Sequence, residues 1–255
     1  MSNISRYNNH VQAVDRALAL LKLIAEQSEP VPLSHLCEAT GLNRTTVWRL
    51  LCTLEDNGFV EKNAAAPDYE LGIAALNLSS AATERYAPLI RRSHPVMQEL
   101  TDFCQESVLL SVSRFSGICA IDQIDPPQSI CLKNYINITT PLHCSSTGKV
   151  LLSLLPSEEL NAYLHGHLEA VTEYTITDPS ILRRQLEQAA VSGYATVEGE
   201  LSSDENGISA PIMYRSHMIA LLSIGGPGYR LTADRMRELA PSLLDASRQI
   251  SRLLS

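Results

Sequence analysis

No stretch of this 255-residue chain stays apolar long enough to cross a membrane. The longest runs, residues 150–155 and 218–224, fall well short of the ~20 residues a membrane helix needs. The N-terminus, MSNISRYNNHVQAVDRALALL, lacks an uninterrupted apolar segment, and Asp15 stands where one would begin, so no signal peptide is read. The six cysteines (Cys37, Cys52, Cys104, Cys119, Cys131 and Cys144) form no CxxC pair and no metal-like spacing. Reduced, mostly buried thiols and a cytoplasmic location are expected from that pattern. Internal repeats and low-complexity segments are missing as well. So is any excess of positive charge: 20 Lys+Arg stand against 28 Asp+Glu, a formal charge of −8. That balance argues against a protein that coats nucleic acid non-specifically, because such binding is largely the neutralisation of phosphates by cations. What is present is 45% hydrophobic and 19% charged, a globular composition that excludes disorder and collagen-like repetition. The length suits one large domain or two ordinary ones.

The N-terminal part reads as short helices followed by a hairpin. Val14, Ala17, Leu18, Leu21, Ile24 and Ala25 recur at helical spacing and predict an amphipathic helix over 11–27. Pro30 and Pro32 end it and begin a connection. Residues 34–40 predict a second short helix, stopped by Gly41 at a position suited to a left-handed cap. Asn43 then caps a third helix over 44–56, with Val47, Leu50, Leu51 and Leu54 on its buried face. Gly58 closes it, and 59–62 with 69–71 predict a β-hairpin.

An Ala- and Leu-rich helix over 73–85, free of Gly and Pro, suits a connection between two domains, and a further helix covers 88–105. Strands are then predicted at 108–115, 118–124 and 130–135, and helices near 145–154, 157–165 and 179–191. The last of these has Asp178 as its cap and Pro179 in its first turn. Strands at 194–198, 208–214 and 218–224 and a final helix over 232–254 complete the chain. The order implies an α+β fold whose antiparallel sheet is flanked by helices.

The most informative stretch is SHLCEATGLNRTTVWRLLCTLEDNGFVEK. Two helices joined by Gly41-Leu42-Asn43 have the length and turn chemistry of a helix-turn-helix, over about 34–54, and the hairpin over about 59–71 makes it winged. A reading helix presents hydrogen-bonding side chains at its N-terminal end, because that end enters the major groove. Asn43, Arg44, Thr45, Thr46, Trp48 and Arg49 supply such a face. Arginine pairs bidentately with guanine, and threonine meets a phosphate or a thymine methyl. The plainer alternative is a solvated face on a small three-helix bundle. Trp48 suits either a sugar–backbone contact or packing on the wing.

These residues carry a resemblance to the IclR family of bacterial transcription regulators, which extends over nearly the whole chain. Val14-Asp15-Arg16-Ala17-Leu18-Ala19-Leu20-Leu21 resembles that family's opening helix, and residues 41–51 resemble its recognition helix. Residues 141–152, PLHCSSTGKVLL, and Ser223-Ile224-Gly225-Gly226-Pro227 resemble its ligand-domain signatures. The resemblance implies a winged helix-turn-helix over 1–72, a linker helix over 73–87, and a GAF/PAS-like effector-binding and oligomerisation domain over 88–255. It implies operator DNA, a small organic acid effector and a second copy of the chain as partners, in dimers or tetramers, with RNA polymerase as a further partner. No cofactor, metal or membrane is expected.

The resemblance further places the effector between the sheet and the loop Cys144-Ser145-Ser146-Thr147-Gly148. Small hydroxyl residues and glycine at a helix N-terminus leave backbone amides free to hold a carboxylate. Glu198, Ser209 and Ser223 would form the opposite wall, with Leu142 and Leu151 as its apolar closure. Three positions depart from the family's small-acid binders: Val197-Glu198, Gly207 and Gly225 stand where those carry an aspartate, a cysteine and a serine. The departures argue against glyoxylate- or pyruvate-like ligands and suggest room for an aromatic or sugar acid.

Two other readings are weighed. The first is a stand-alone GAF-like sensor without DNA function. The second is an enzyme using Cys144 and the neighbouring His143, although adjacent residues on extended chain point opposite ways. His165-Gly166-His167 has no third ligand at a metal-like spacing. Asp204-Glu205 and Glu200 read as solvated loop residues. The expectation is a regulator with no catalytic site.

Overall fold

The computed structural model describes residues 11–63, 68–114, 117–215 and 217–254, without the side chains of 82 and 83. The chain divides into two compact units, Met1–Arg85 and Tyr86–Ser255. The first unit contains helices α1 (Gln12–Ala25), α2 (Leu33–Thr40), α3 (Arg44–Asp56) and α4 (Ile73–Glu84), with strands β1 (Val31–Pro32), β2 (Val60–Lys62) and β3 (Asp68–Leu71). Gly41 ends α2 in the left-handed region at φ 65°, and the Asn43 side chain accepts from the Thr46 amide at 2.9 Å to start α3. Leu20, Ile24, Leu36, Val47, Leu51, Leu54 and Tyr69 form one core. The sheet runs β1-β3-β2. Its third strand was not expected: Val31 pairs with Tyr69 and Pro32 with Asp68, so the segment read as a connection is an edge strand. Proline is tolerated there because an edge strand need not donate on its open side.

In the second unit α5 (Ala87–Cys104) precedes β4 (Ser107–Arg114), β5 (Gly117–Ile124) and β6 (Thr139–Thr140). Helices α6 (Ser146–Ser153), α7 (Ser157–Leu164) and α8 (Pro179–Ser192) follow, then β7 (Ala195–Glu198), β8 (Glu205–Tyr214), β9 (His217–Pro227) and α9 (Ala233–Leu253). The six strands form one antiparallel sheet in the order β6-β5-β4-β9-β8-β7. Strand alternation sorts its side chains onto two faces. Val108, Leu110 and Val112, Ile208, Ala210 and Ile212, and Ala220, Leu222 and Ile224 join the core with α5 and α9. Their neighbours in sequence, including Leu109, Ser111, Gly207, Ser209 and Ser223, lie on the side of α6.

The strand predicted over 130–135 does not form, and the third strand lies at 139–140 instead, paired with Ile118 and Cys119. Leu132 and Tyr135 pack with Leu109 and Ala120. The Tyr135 amide donates to the Gln123 side chain at 2.9 Å, which replaces a ladder bond. The run is apolar because it covers the sheet, not because it extends it.

Candidate functional site

In the N-terminal unit, α3 buries Val47, Leu51 and Leu54 and leaves Asn43, Arg44, Thr45, Trp48 and Arg49 exposed. Residues 44, 45, 48 and 49 are joined by three- and four-residue steps, so they form one contiguous patch around the first turn and a half of the helix. Trp48 is 52% exposed, so about half of its side chain is open to a partner. Thr46 is half-buried, and Asn43 already spends its side-chain oxygen on the Thr46 amide. The exposed set could meet base edges and phosphates of a groove.

In the C-terminal unit a cavity of about 90 Å³ lies between the sheet and the start of α6. One water needs ~10–15 Å³ on this scale, so the space suits a small organic molecule. Ser145, Ser146, Thr147 and Ser223 line it. Ser145 is committed to its helix: its hydroxyl donates to the Pro141 carbonyl at 2.6 Å and accepts from the Gly148 amide at 3.2 Å. Ser146 Oγ lies 2.6 Å from Ser209 Oγ, a bond that ties α6 to β8. Thr147 is 92% buried by its 8% exposure, and among the described residues its hydroxyl has no hydrogen-bond partner. The Ser146 and Thr147 amides precede the first intrahelical bond, Lys149 N–H to Ser145 O, and so remain free donors. Ser223 Oγ reaches the Leu109 carbonyl only at 3.5 Å.

Six expected wall residues lie elsewhere. Ser209 sits behind Ser146, fully buried. Leu142 and Leu151 pack with Ile118, Val150 and Leu221. Gly148 presses on backbone: a Cβ there would stand 2.2 Å from the Leu142 carbonyl oxygen, so the glycine serves helix packing rather than the ligand. Cys144 is fully buried, and burial pushes its thiol up to about 11, the reverse of an activated nucleophile. His143 gives no base to it, since its Nε2–H donates to the Glu169 carbonyl at 2.8 Å and its Nδ1 faces the Tyr163 hydroxyl at 3.4 Å. Glu198 is exposed and borders a different, polar cleft with Gln185 and Arg237.

The residue two positions on reverses the expectation for that loop. Gly199 turns the chain at φ 67°, and Glu200 is buried against Lys149, with Oε1 2.5 Å from Nζ. Sequence reasoning also missed Glu205, Tyr135 and Leu132, all in the cavity wall. Glu205 shares the face of Gly207 and Ser209 by strand alternation, a signal that appears once β8 begins at 205 rather than 208. The space left by glycine at 225 is not vacant: Leu132 Cδ1 lies 2.5 Å from where a Cβ would stand. Among the described residues no cluster of three His, Cys, Asp or Glu could hold a metal ion, and no helix is long and apolar enough to cross a membrane.

Residues 13–64 match the IclR helix-turn-helix domain, and 81–252 match the family described as bacterial transcriptional regulator IclR C-terminal. The chain is 31% identical over 246 residues to the HTH-type transcriptional regulator KipR of Bacillus subtilis, covering 96% of this chain and 97% of that one. The Thermotoga maritima IclR crystal structure superposes with a TM-score of 0.77 at 25% identity, over 96% of this chain and 99% of that one. An IclR homologue from Microbacterium hydrocarbonoxydans, crystallised with 4-hydroxybenzoate, gives 0.77 at 22% identity, over 95% and 98% of the two chains. The helix-turn-helix, the helix-flanked antiparallel sheet and these end-to-end matches establish a transcriptional regulator rather than an enzyme, and the chain belongs to the IclR family.

Proposed function

We propose that the chain binds a near-palindromic operator through Arg44, Thr45, Trp48 and Arg49, and that a small organic acid in the α6 cavity adjusts that binding. The carrying observation is the cavity's donor end: two free amides at a helix N-terminus beside Thr147, whose hydroxyl has no hydrogen-bond partner among the described residues. Such a group of donors suits a carboxylate. Leu109, Ile118, Leu132 and Val197 give the rest of the wall an apolar character that suits a carbon skeleton. The 4-hydroxybenzoate held by the Microbacterium homologue is of the same chemical class.

The working form is a dimer, or a pair of dimers. Val14, Leu18, Leu76 and Leu78 of the N-terminal unit are all more than half exposed, an apolar surface that suits a second copy. A dimer sets two recognition helices on half-sites about 34 Å apart or a multiple of it. Residues 1–72 act as the DNA-binding domain, 73–87 as the linker helix and 88–255 as the effector domain.

The test is a gel shift on operator DNA recovered by genome-wide pull-down, with and without a panel of organic acids. Arg44→Ala and Arg49→Ala are each expected to weaken the complex about 5- to 150-fold, the value of one good base contact, with folding intact. Ser223→Ala is expected to blunt the acid response and keep DNA binding. Wild-type affinity in both arginine variants overturns the DNA assignment; glyoxylate as the strongest effector overturns the larger-acid reading.

A further inference from the structure

Taking the α6 cavity as the acid site, the wall opposite the donors has its own chemistry. The Tyr135 hydroxyl donates to Glu205 Oε2 at 2.5 Å, and both residues line the cavity. Burial, and then the neighbouring carboxylate, hold the Tyr135 phenol well above its ordinary range, so it stays protonated and its one proton is spent on Glu205. Glu205 Oε1 has no donor among the described residues. Asn206, the adjacent polar residue, is held elsewhere: its amide donates to the Leu231 carbonyl and its oxygen accepts from the Gly199 amide. The open acceptor at this end of the cavity is therefore Glu205 Oε1.

The two ends face one another along β8. A Cβ on Gly207 would lie 3.2 Å from Ser146 Oγ, so the start of α6 sits over Gly207. Glu205 is two residues further along the same face, about 7 Å at strand rise. The donor start of α6 and the Glu205 acceptor thus lie along one face of β8, in a cavity whose remaining wall is largely apolar.

We propose that Glu205, positioned by Tyr135, determines specificity by selecting acids that carry a hydroxyl or ammonium group remote from their carboxylate, and by rejecting dicarboxylates. A plain acid leaves the half-buried Glu205, already paired with the buried Tyr135, without its third partner, and sites built to hydrogen-bond a hydroxyl discriminate against analogues that lack it. A second carboxylate would stand against Glu205 as a like charge.

The probes are cyclohexanecarboxylate, its trans-4-hydroxy derivative and trans-cyclohexane-1,4-dicarboxylate, titrated calorimetrically into the full chain. The hydroxy acid is expected to bind wild type at least about tenfold tighter than the parent acid, and the dicarboxylate weakest of the three. Glu205→Ala should bring hydroxy and parent acids to within about twofold and admit the dicarboxylate. Glu205→Gln, the milder change, should keep the hydroxyl preference, since its amide oxygen still accepts, while also admitting the dicarboxylate. Tyr135→Phe should weaken the preference without abolishing it. Equal affinities for hydroxy and parent acids in wild type, or an unchanged preference in Glu205→Ala, overturn the inference and leave the acid-site reading standing. No heat from any probe with wild type or variants overturns both.

Discussion

At the scale of single residues, the most consequential side chains were hidden by a local turn. Glu198 and Glu200 are two apart, so simple alternation puts them on one face, yet one is exposed and the other buried. Gly199 in the left-handed region inverts the pattern, and no sequence period reports that. The consequence is a buried ion pair: the Lys149 ammonium, 1% exposed, donates to Glu200 Oε1 at 2.5 Å and to Gln185 Oε1 at 2.7 Å. Burial pushes the Lys149 ammonium down and the Glu200 carboxyl up, each toward neutrality, and their proximity opposes it. Removing one member leaves the other as an unpaired buried charge, at a cost of about 3–5 kcal/mol. Lys149→Met is expected to lose that much in urea denaturation, and the double variant Lys149→Met with Glu200→Leu to regain most of it. A single variant within about 1 kcal/mol of wild type would show that the pair does not hold α6 in place. By contrast, the cavity positions of Ser145, Ser146, Thr147 and Ser223 were legible through the family resemblance, and residue types alone announced only the capped start of α6 at Ser145.

Among elements, legibility followed the strength of the boundary signal. Helix α3 begins and ends where Gly41, Asn43 and Gly58 place it. Strand β8 begins three residues before the predicted start because Asp204, Glu205, Asn206 and Gly207 have turn chemistry, although Glu205 to Gly207 pair with Gly225 to Pro227. Tertiary pairing overrode local propensity there, and the specificity carboxylate went unseen with it. The cap of α3 makes a separable prediction. Asn43 accepts from the Thr46 amide, so Asn43→Ala should destabilise the N-terminal unit by about 1 kcal/mol, and Asn43→Gly by only a few tenths. Trp48, the chain's single tryptophan, lies on this helix, so its fluorescence during urea unfolding reports that unit alone. Equal losses for both variants would mean that the Asn43 side chain acts elsewhere than at the cap.

For the molecule as a whole, the charge of −8 argues against non-specific coating of nucleic acid and narrows how DNA can be bound without excluding it. Residues 1–75 hold six Lys or Arg against nine Asp or Glu, so even the DNA-binding part is acidic in sum. What matters for a groove is placement: from 39 to 54 the only charged residues are Arg44 and Arg49, both cationic and both exposed on the face of α3 proposed to read DNA. Few phosphates can be neutralised by so few cations. With two or three per subunit, counting Lys62 of the exposed wing strand β2, a dimer neutralises about four to six. The operator affinity should then fall with log salt at a slope of about −4 to −5, from roughly 0.9 per phosphate neutralised. Arg44→Ala, acting twice in a dimer, should flatten the slope by about 2 if the arginine touches phosphate. An Arg44→Ala complex that weakens without any change of slope would instead assign the arginine to a base edge. Binding isotherms between 50 and 200 mM salt separate these outcomes. A wild-type slope steeper than about −8 would mean that cations outside α3 and the wing hold the DNA, and that sequence-specific contacts carry less of the affinity than the acidic balance requires.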